Sequence, residues 1–149
     1  MSNQRGKFSQ RAAQLTLPLD QIQSQKMRAG SLRRHEPVRE ALKSALKNCG
    51  MTRELVAEEA SRLTGDHISV NHLNNWTAES KNGWKLPIEY AAALAVVTGS
   101  PEIVKAALEG SGLSVLTEEE TAIYELGKIT AEDMERKKKR KEVLEKLNL

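Results

Sequence analysis

The stretch TRELVAEEASRLTGDHISVNHLNNWT, residues 52–77, decides how the chain folds. Thr52 can cap a helix, with Glu54 near the positive end of its dipole. Leu55, Val56, Ala60 and Leu63 recur at helical spacing and predict its buried stripe, with Ala57 close by. Thr64-Gly65-Asp66 breaks that helix. Ser69 can cap the next, in which Val70, Leu73 and Trp76 repeat at every third position. The reading is two short consecutive helices, Thr52 to Leu63 and Ser69 to Thr77.

Ahead of them, Val38, Leu42, Ala45 and Leu46 repeat at helical spacing; Pro37 suits a first helical turn and Gly50 stops the run. Behind them, Glu79 to Lys85 reads as a polar loop. Pro87 opens a fourth helix, Ile88 to Thr98, so uniformly apolar that a central position is expected. Gly99 ends it. Ser100 and Pro101 begin a fifth, carrying Ile103, Val104, Ala107 and Leu108, and Gly110-Ser111-Gly112 is a break. Thr117 and Glu120 form a capping box for a helical tail with Ile123, Leu126, Ile129, Met134, Leu144 and Leu147. The cationic run Arg136 to Lys141 interrupts its apolar seam and reads as a solvated face, partly neutralised by neighbouring carboxylates. Neither a repeat nor a strand is predicted. The expected fold is all-α: a mobile basic arm over 1–36, a five-helix domain over 37–112 and a C-terminal helical tail over 113–149.

Bulk composition agrees with that division. The 149 residues suit one compact domain with tails. Aromatic residues make up only 3%, so the core must be built from Ala, Leu, Val and Ile, a helix-forming mixture. A net charge of +3 permits nucleic acid as a partner without requiring it. The single cysteine, Cys49, excludes an internal disulfide and fits a reducing compartment; its place before Gly50 suits a small core residue. The polar N-terminus has no apolar run of signal-peptide or membrane-span length, so a cytoplasmic protein without membrane contact is expected, in a bacterial host cell.

If Val70, Leu73 and Trp76 face inward, helix geometry turns Asn71, His72, Asn74 and Asn75 outward. Asparagine forms helices poorly, yet three occupy this short segment, and no acidic residue falls between Ser69 and Ala78. An amide both donates and accepts, and can pair bidentately with adenine in the major groove. Ser69 stands at the helix N-terminus, where a phosphate is favoured. Lys81 and Lys85 follow the helix and can hold the nucleic-acid backbone. Arg33 and Arg34 lie just before the first helix, where a basic arm can track phosphates or enter a minor groove.

The order of helices resembles the five-helix DNA-binding domains of the lambda-repressor-like helix-turn-helix family. The resemblance rests on Gly50-Met51-Thr52, Leu55-Val56-Ala57, Ile68-Ser69-Val70, Leu73, Trp76, and Leu86-Pro87 before an Ala/Leu helix ending in Thr98-Gly99. It implies that Ala57 is the small residue allowing close helix approach and that Val70 anchors the recognition helix. The connection Leu63 to Ile68 is several residues longer than the family's usual turn, and Gly65 comes later than its turn glycine. The segment from Leu73 to Lys81, with Trp84 and Leu86-Pro87, resembles DNA-binding or regulatory proteins of Mu-like transposable phages and prophages.

In the arm, Gln14-Leu15-Thr16-Leu17-Pro18-Leu19 resembles the hexapeptide by which bacterial replication and repair proteins bind the DNA polymerase sliding clamp. That resemblance implies a polar pocket for Gln14 and a hydrophobic groove for the leucines. An extended chain places Leu15, Leu17 and Leu19 on one side, and Pro18 disfavours helix.

Catalytic and cofactor signatures are missing. There is no phosphate loop and no zinc spacing, and His35, His67 and His72 are scattered. No catalytic residue, metal or cofactor is expected, and the chain does not read as an enzyme. The expected function is sequence-specific binding of double-stranded DNA as a phage or prophage transcriptional regulator, with a homodimer contact through the tail. Two alternatives stand beside it: an adaptor that docks on the sliding clamp through the arm, and a small-terminase-like packaging or structural subunit.

Overall fold

The computed structural model describes residues 26–147. Gln14, Leu15, Leu17 and Leu19, and with them the clamp-like peptide, lie outside the described residues. The chain divides into two units, Met1–Ser31 and Leu32–Leu149. In the first, Ser31 donates its amide to the Arg28 carbonyl at 3.0 Å, closing a turn in which Gly30 takes φ +80°. All the helices belong to the second.

Six helices and no strand make up the described residues: α1 (His35–Asn48), α2 (Arg53–Thr64), α3 (Val70–Thr77), α4 (Ile88–Thr98), α5 (Glu102–Leu108) and α6 (Glu118–Lys146). The predicted breaks fall where expected, and two of the stops are glycines in the left-handed region. Gly65 closes α2 at φ +76° and Gly99 closes α4 at φ +69°, conformations a Cβ would strain. Thr52 caps α2 by accepting from the Leu55 amide at 3.3 Å. Pro37 falls in the first turn of α1 rather than at its start, a place where its missing N–H costs nothing.

The first five helices share one core. α1 packs on α5, α3 and α4; α2 packs on α4 and α3; α4 also meets α5. Leu42, Val56, Leu73, Leu94 and Ile103 are its fully buried large side chains, one from each helix. Cys49, Val70 and Tyr90 are partly buried against it.

Two expectations about faces are corrected. Leu55 and Leu63 do not belong to the buried stripe of α2: they are 43% and 46% exposed, and the buried face is Val56, Ala57 and Ala60. α2 packs on α4 and α3, and Leu63 borders a shallow surface depression with Ala92, Ala93 and Val96 of α4. Nor is α4 buried all round. Only Ala91 and Leu94 are, while Ile88 and Val96 lie on its open side.

The lengthened connection between α2 and α3 is part of the core. Ile68 is 3% exposed, so its side chain plugs the bundle from the turn. Ser61, on α2, holds the backbone at that point. Its hydroxyl accepts from the Ile68 amide at 2.9 Å and lies 3.0 Å from the Ile68 carbonyl and 2.7 Å from that of Ala57, one of which takes its proton. The residues that make the turn long are thus fastened at its buried midpoint.

After α5 the chain turns through Gly110 and Gly112, both at positive φ, and enters α6. The predicted capping box is present. Thr117 accepts from the Glu120 amide at 3.2 Å, and Glu120 accepts from the Thr117 amide at 2.9 Å. Lys105 of α5 donates to Glu120 at 2.7 Å and ties the first turn of α6 to the bundle. None of the 29 residues of α6 is buried. Among the described residues no helix is long and apolar enough to cross a membrane.

Candidate nucleic-acid interface

The sequence of α3 determines which side chains it shows. Leu73, Trp76 and Thr77 are buried, Val70 is half-buried, Asn71 and Asn74 are exposed, and Asn75 and His72 are intermediate. The inward stripe is the predicted one, widened by Thr77. The outward amides are therefore displayed by packing on the opposite face of the helix.

Ser69 and His72 have structural work of their own. Ser69 accepts from the His72 amide at 3.2 Å, and His72 Nδ1 accepts from the Ser69 amide at 3.0 Å, a reciprocal cap with histidine in the place usual for Glu or Gln. The imidazole also stacks on Trp76, centroids 5.5 Å apart and planes 13° from parallel, and Trp76 in turn meets Tyr90 at 5.9 Å. His72 is thereby held as a cap and an aromatic packing partner, whereas sequence reading had grouped it with the outward-facing amides.

Asn74 is anchored by a residue that sequence reading missed. Arg53, the first residue of α2, donates from Nη1 to Asn74 Oδ1 at 2.8 Å and to Thr77 Oγ1 at 3.1 Å. Thr77 passes the interaction on by donating to the Leu73 carbonyl at 2.8 Å. The start of α2 is so fixed against the last turn of α3. With its oxygen engaged, Asn74 offers its NH2 to the surroundings. A signal was available: a cation in the first turn of a helix opposes the dipole, so its presence there calls for another partner.

Carboxylates adjoining α3 in sequence are occupied. Asp66 accepts from the Tyr90 hydroxyl at 3.2 Å, and Glu79 faces Lys43 at 3.9 Å. Burial and the Asp66 carboxylate together raise the Tyr90 phenol above its ordinary pKa, so it stays a donor at neutral pH.

The predicted cations separate into two groups. Arg33 and Lys85 line one shallow depression beside the N-terminus of α1, together with His35 and Asn82. Lys85 also borders a second, aromatic depression formed by His72, Trp76, Trp84 and Tyr90. Lys81 is exposed on the turn after α3, where its backbone amide closes on the Ala78 carbonyl. Arg34 borders the first depression as well, but its guanidinium is engaged. Its Nε donates to the Ala106 carbonyl at 2.8 Å and its Nη2 pairs with Glu109, so its guanidinium is spent on α5. Among the described residues no group of three or more His, Cys, Asp or Glu is placed to hold a metal.

No family model, no curated protein and no solved structure matches the chain.

Proposed function

We propose that this protein is a sequence-specific double-stranded DNA-binding protein in which α2 and α3 act as a helix-turn-helix and α3 enters the major groove. The observation that carries the reading is the outer surface of α3: exposed amides, one of them gripped by an arginine, on a helix without a carboxylate. Asn71, whose amide makes no side-chain hydrogen bond among the described residues, is the residue for bidentate reading of adenine. Asn74 donates to a base acceptor while Arg53 holds it in one orientation. Lys81, Lys85 and Arg33 supply phosphate contacts, which position the helix and add salt-sensitive affinity. The role that fits such a module is transcriptional regulation in a phage or prophage setting. It requires no catalytic group.

The test is selection from a random duplex pool followed by fluorescence anisotropy. The wild-type chain is expected to enrich a defined site. Asn71→Ala/Asn74→Ala/Asn75→Ala is expected to lose the preference yet retain weak, salt-dependent binding. Each well-formed base contact contributes about 1–3 kcal/mol of discrimination, so the triple variant should approach its own non-specific affinity. No enrichment by the wild-type chain sinks the reading.

A further inference from the structure

We propose that α6 is a homodimerisation helix that pairs antiparallel with α6 of a second copy, in a single register centred on Glu135. The inference does not depend on the DNA reading. α6 has no buried residue, yet it carries exposed apolar side chains near both ends, with Met134 between them. Ile123 and Leu126 are both 65% exposed near the start, and Leu144 and Leu147 are exposed near the finish. Taken at alternating spacings of three and four, one stripe runs Ile123, Leu126, Thr130, Asp133, then Lys137, Arg140, Leu144, Leu147.

Charge decides what can cover that stripe. Up to Glu135 the helix is acidic, with Lys128 its only cation; from Arg136 onward it is basic, with Glu142 and Glu145 its only carboxylates. A parallel copy would set Asp133 on Asp133, Lys137 on Lys137 and Arg140 on Arg140, three like-charged layers along the seam. An antiparallel copy removes all three. Ile123 then meets Leu147, Leu126 meets Leu144, Thr130 meets Arg140 and Asp133 meets Lys137, each twice by symmetry. The flanking Ile129 and Val143, also exposed, come together in the same register. Asp133 already lies 3.5 Å from Arg136 of its own chain, and the second copy brings Lys137 to the same carboxylate. Charged central layers bind less strongly than leucines but specify orientation and register, the use to which polar core positions in coiled coils are put. The basic run that breaks the seam of one helix therefore completes the seam of a pair.

The experiment uses the full chain without DNA. Sedimentation equilibrium is expected to give twice the 16.6 kDa chain mass at concentrations that would saturate an affinity of about 1 µM. Asp133→Lys, which sets lysine against lysine, should weaken association at least tenfold, and Asp133→Lys/Lys137→Asp should restore it. In a Cys49→Ser background, oxidation should yield covalent dimer from Leu126→Cys/Leu144→Cys and none from either single variant. Those two positions are about 27 Å apart along one helix, which forbids an intrachain bridge. A monomer at every concentration overturns the proposal. So does crosslinking of the single variants, the mark of a parallel pair, or failure of the double charge swap to restore association. Circular dichroism of each variant separates loss of pairing from loss of helix.

Discussion

Replacing Arg53 by methionine keeps the aliphatic stem of the side chain and removes the guanidinium that joins α2 to α3. Two hydrogen bonds go, to Asn74 at 2.8 Å and to Thr77 at 3.1 Å. Water takes over the first, because Asn74 is exposed. The second is half-buried, but Thr77 keeps its bond to the Leu73 carbonyl and is not orphaned. The loss is then about 1 kcal/mol. Against it, taking a cation out of the first turn of a helix returns about 0.3–1 kcal/mol. Stability should therefore change by less than about 1 kcal/mol, or under about 8 °C in melting temperature. DNA recognition should change more. Asn74 loses the contact that fixes its amide, and the surface loses one cation. On the selected site, affinity should fall about tenfold, equivalent to about 1.4 kcal/mol, and the log–log salt slope should become shallower by about one. Urea denaturation followed by tryptophan fluorescence gives the first quantity and anisotropy titration over a salt series gives the second. Unchanged site affinity and salt slope in a folded variant would refute the role given to Arg53. A stability loss above about 3 kcal/mol would show instead that the arginine is a structural clamp.

Ser61→Ala should cost about 1–3 kcal/mol in urea denaturation, because it leaves the Ile68 amide without its partner in the turn. Leu73→Ala, at a fully buried site facing away from the outer amides, should cost about 2–5 kcal/mol; equal stability to wild type would mean α3 packs by another face. The Lys105 ammonium, followed by the Thr117 backbone amide, holds Glu120 below the ordinary carboxylate pKa. Its contribution is complete above that ordinary value and lost as pH falls through the lowered one. Glu120→Gln should thus make α6 helicity, read by circular dichroism, less sensitive to acid. Leu15→Ala/Leu17→Ala should leave duplex affinity unchanged if α3 alone reads the site; a loss would assign part of the interface to the arm.

The fold was legible in the sequence wherever the signal was local. Thr52, Ser69 and Thr117 mark helix starts by side chains that satisfy amides a few residues away. Gly65 and Gly99 mark ends by a backbone region that other residues avoid. Which faces met was less legible. Leu55 and Leu63 are more apolar than Ala57 and Ala60, yet the alanines are buried, because burial follows from which face of α2 its neighbours cover and not from side-chain hydropathy alone. The same limit applies to Arg34 and Glu109, whose pairing spans 75 positions and leaves no local trace. At the candidate interface, the period of Val70, Leu73 and Trp76 was enough to place the asparagines outward. It could not show that His72 caps and stacks, since both roles depend on a geometry in which histidine replaces the expected carboxylate or amide.

The hydroxyl of Ser61 has an evolutionary consequence. A short, glycine-dependent turn fixes the angle between two helices by its own geometry, and changing one residue breaks it. Here the span between α2 and α3 is anchored at its middle by Ile68 and by a single oxygen on α2. His67, just ahead of that anchor, is exposed. Substitutions there can tilt α3 by small steps while the bundle stays intact. A lineage carrying this connection could retune the pitch of its outer helix without first losing the fold.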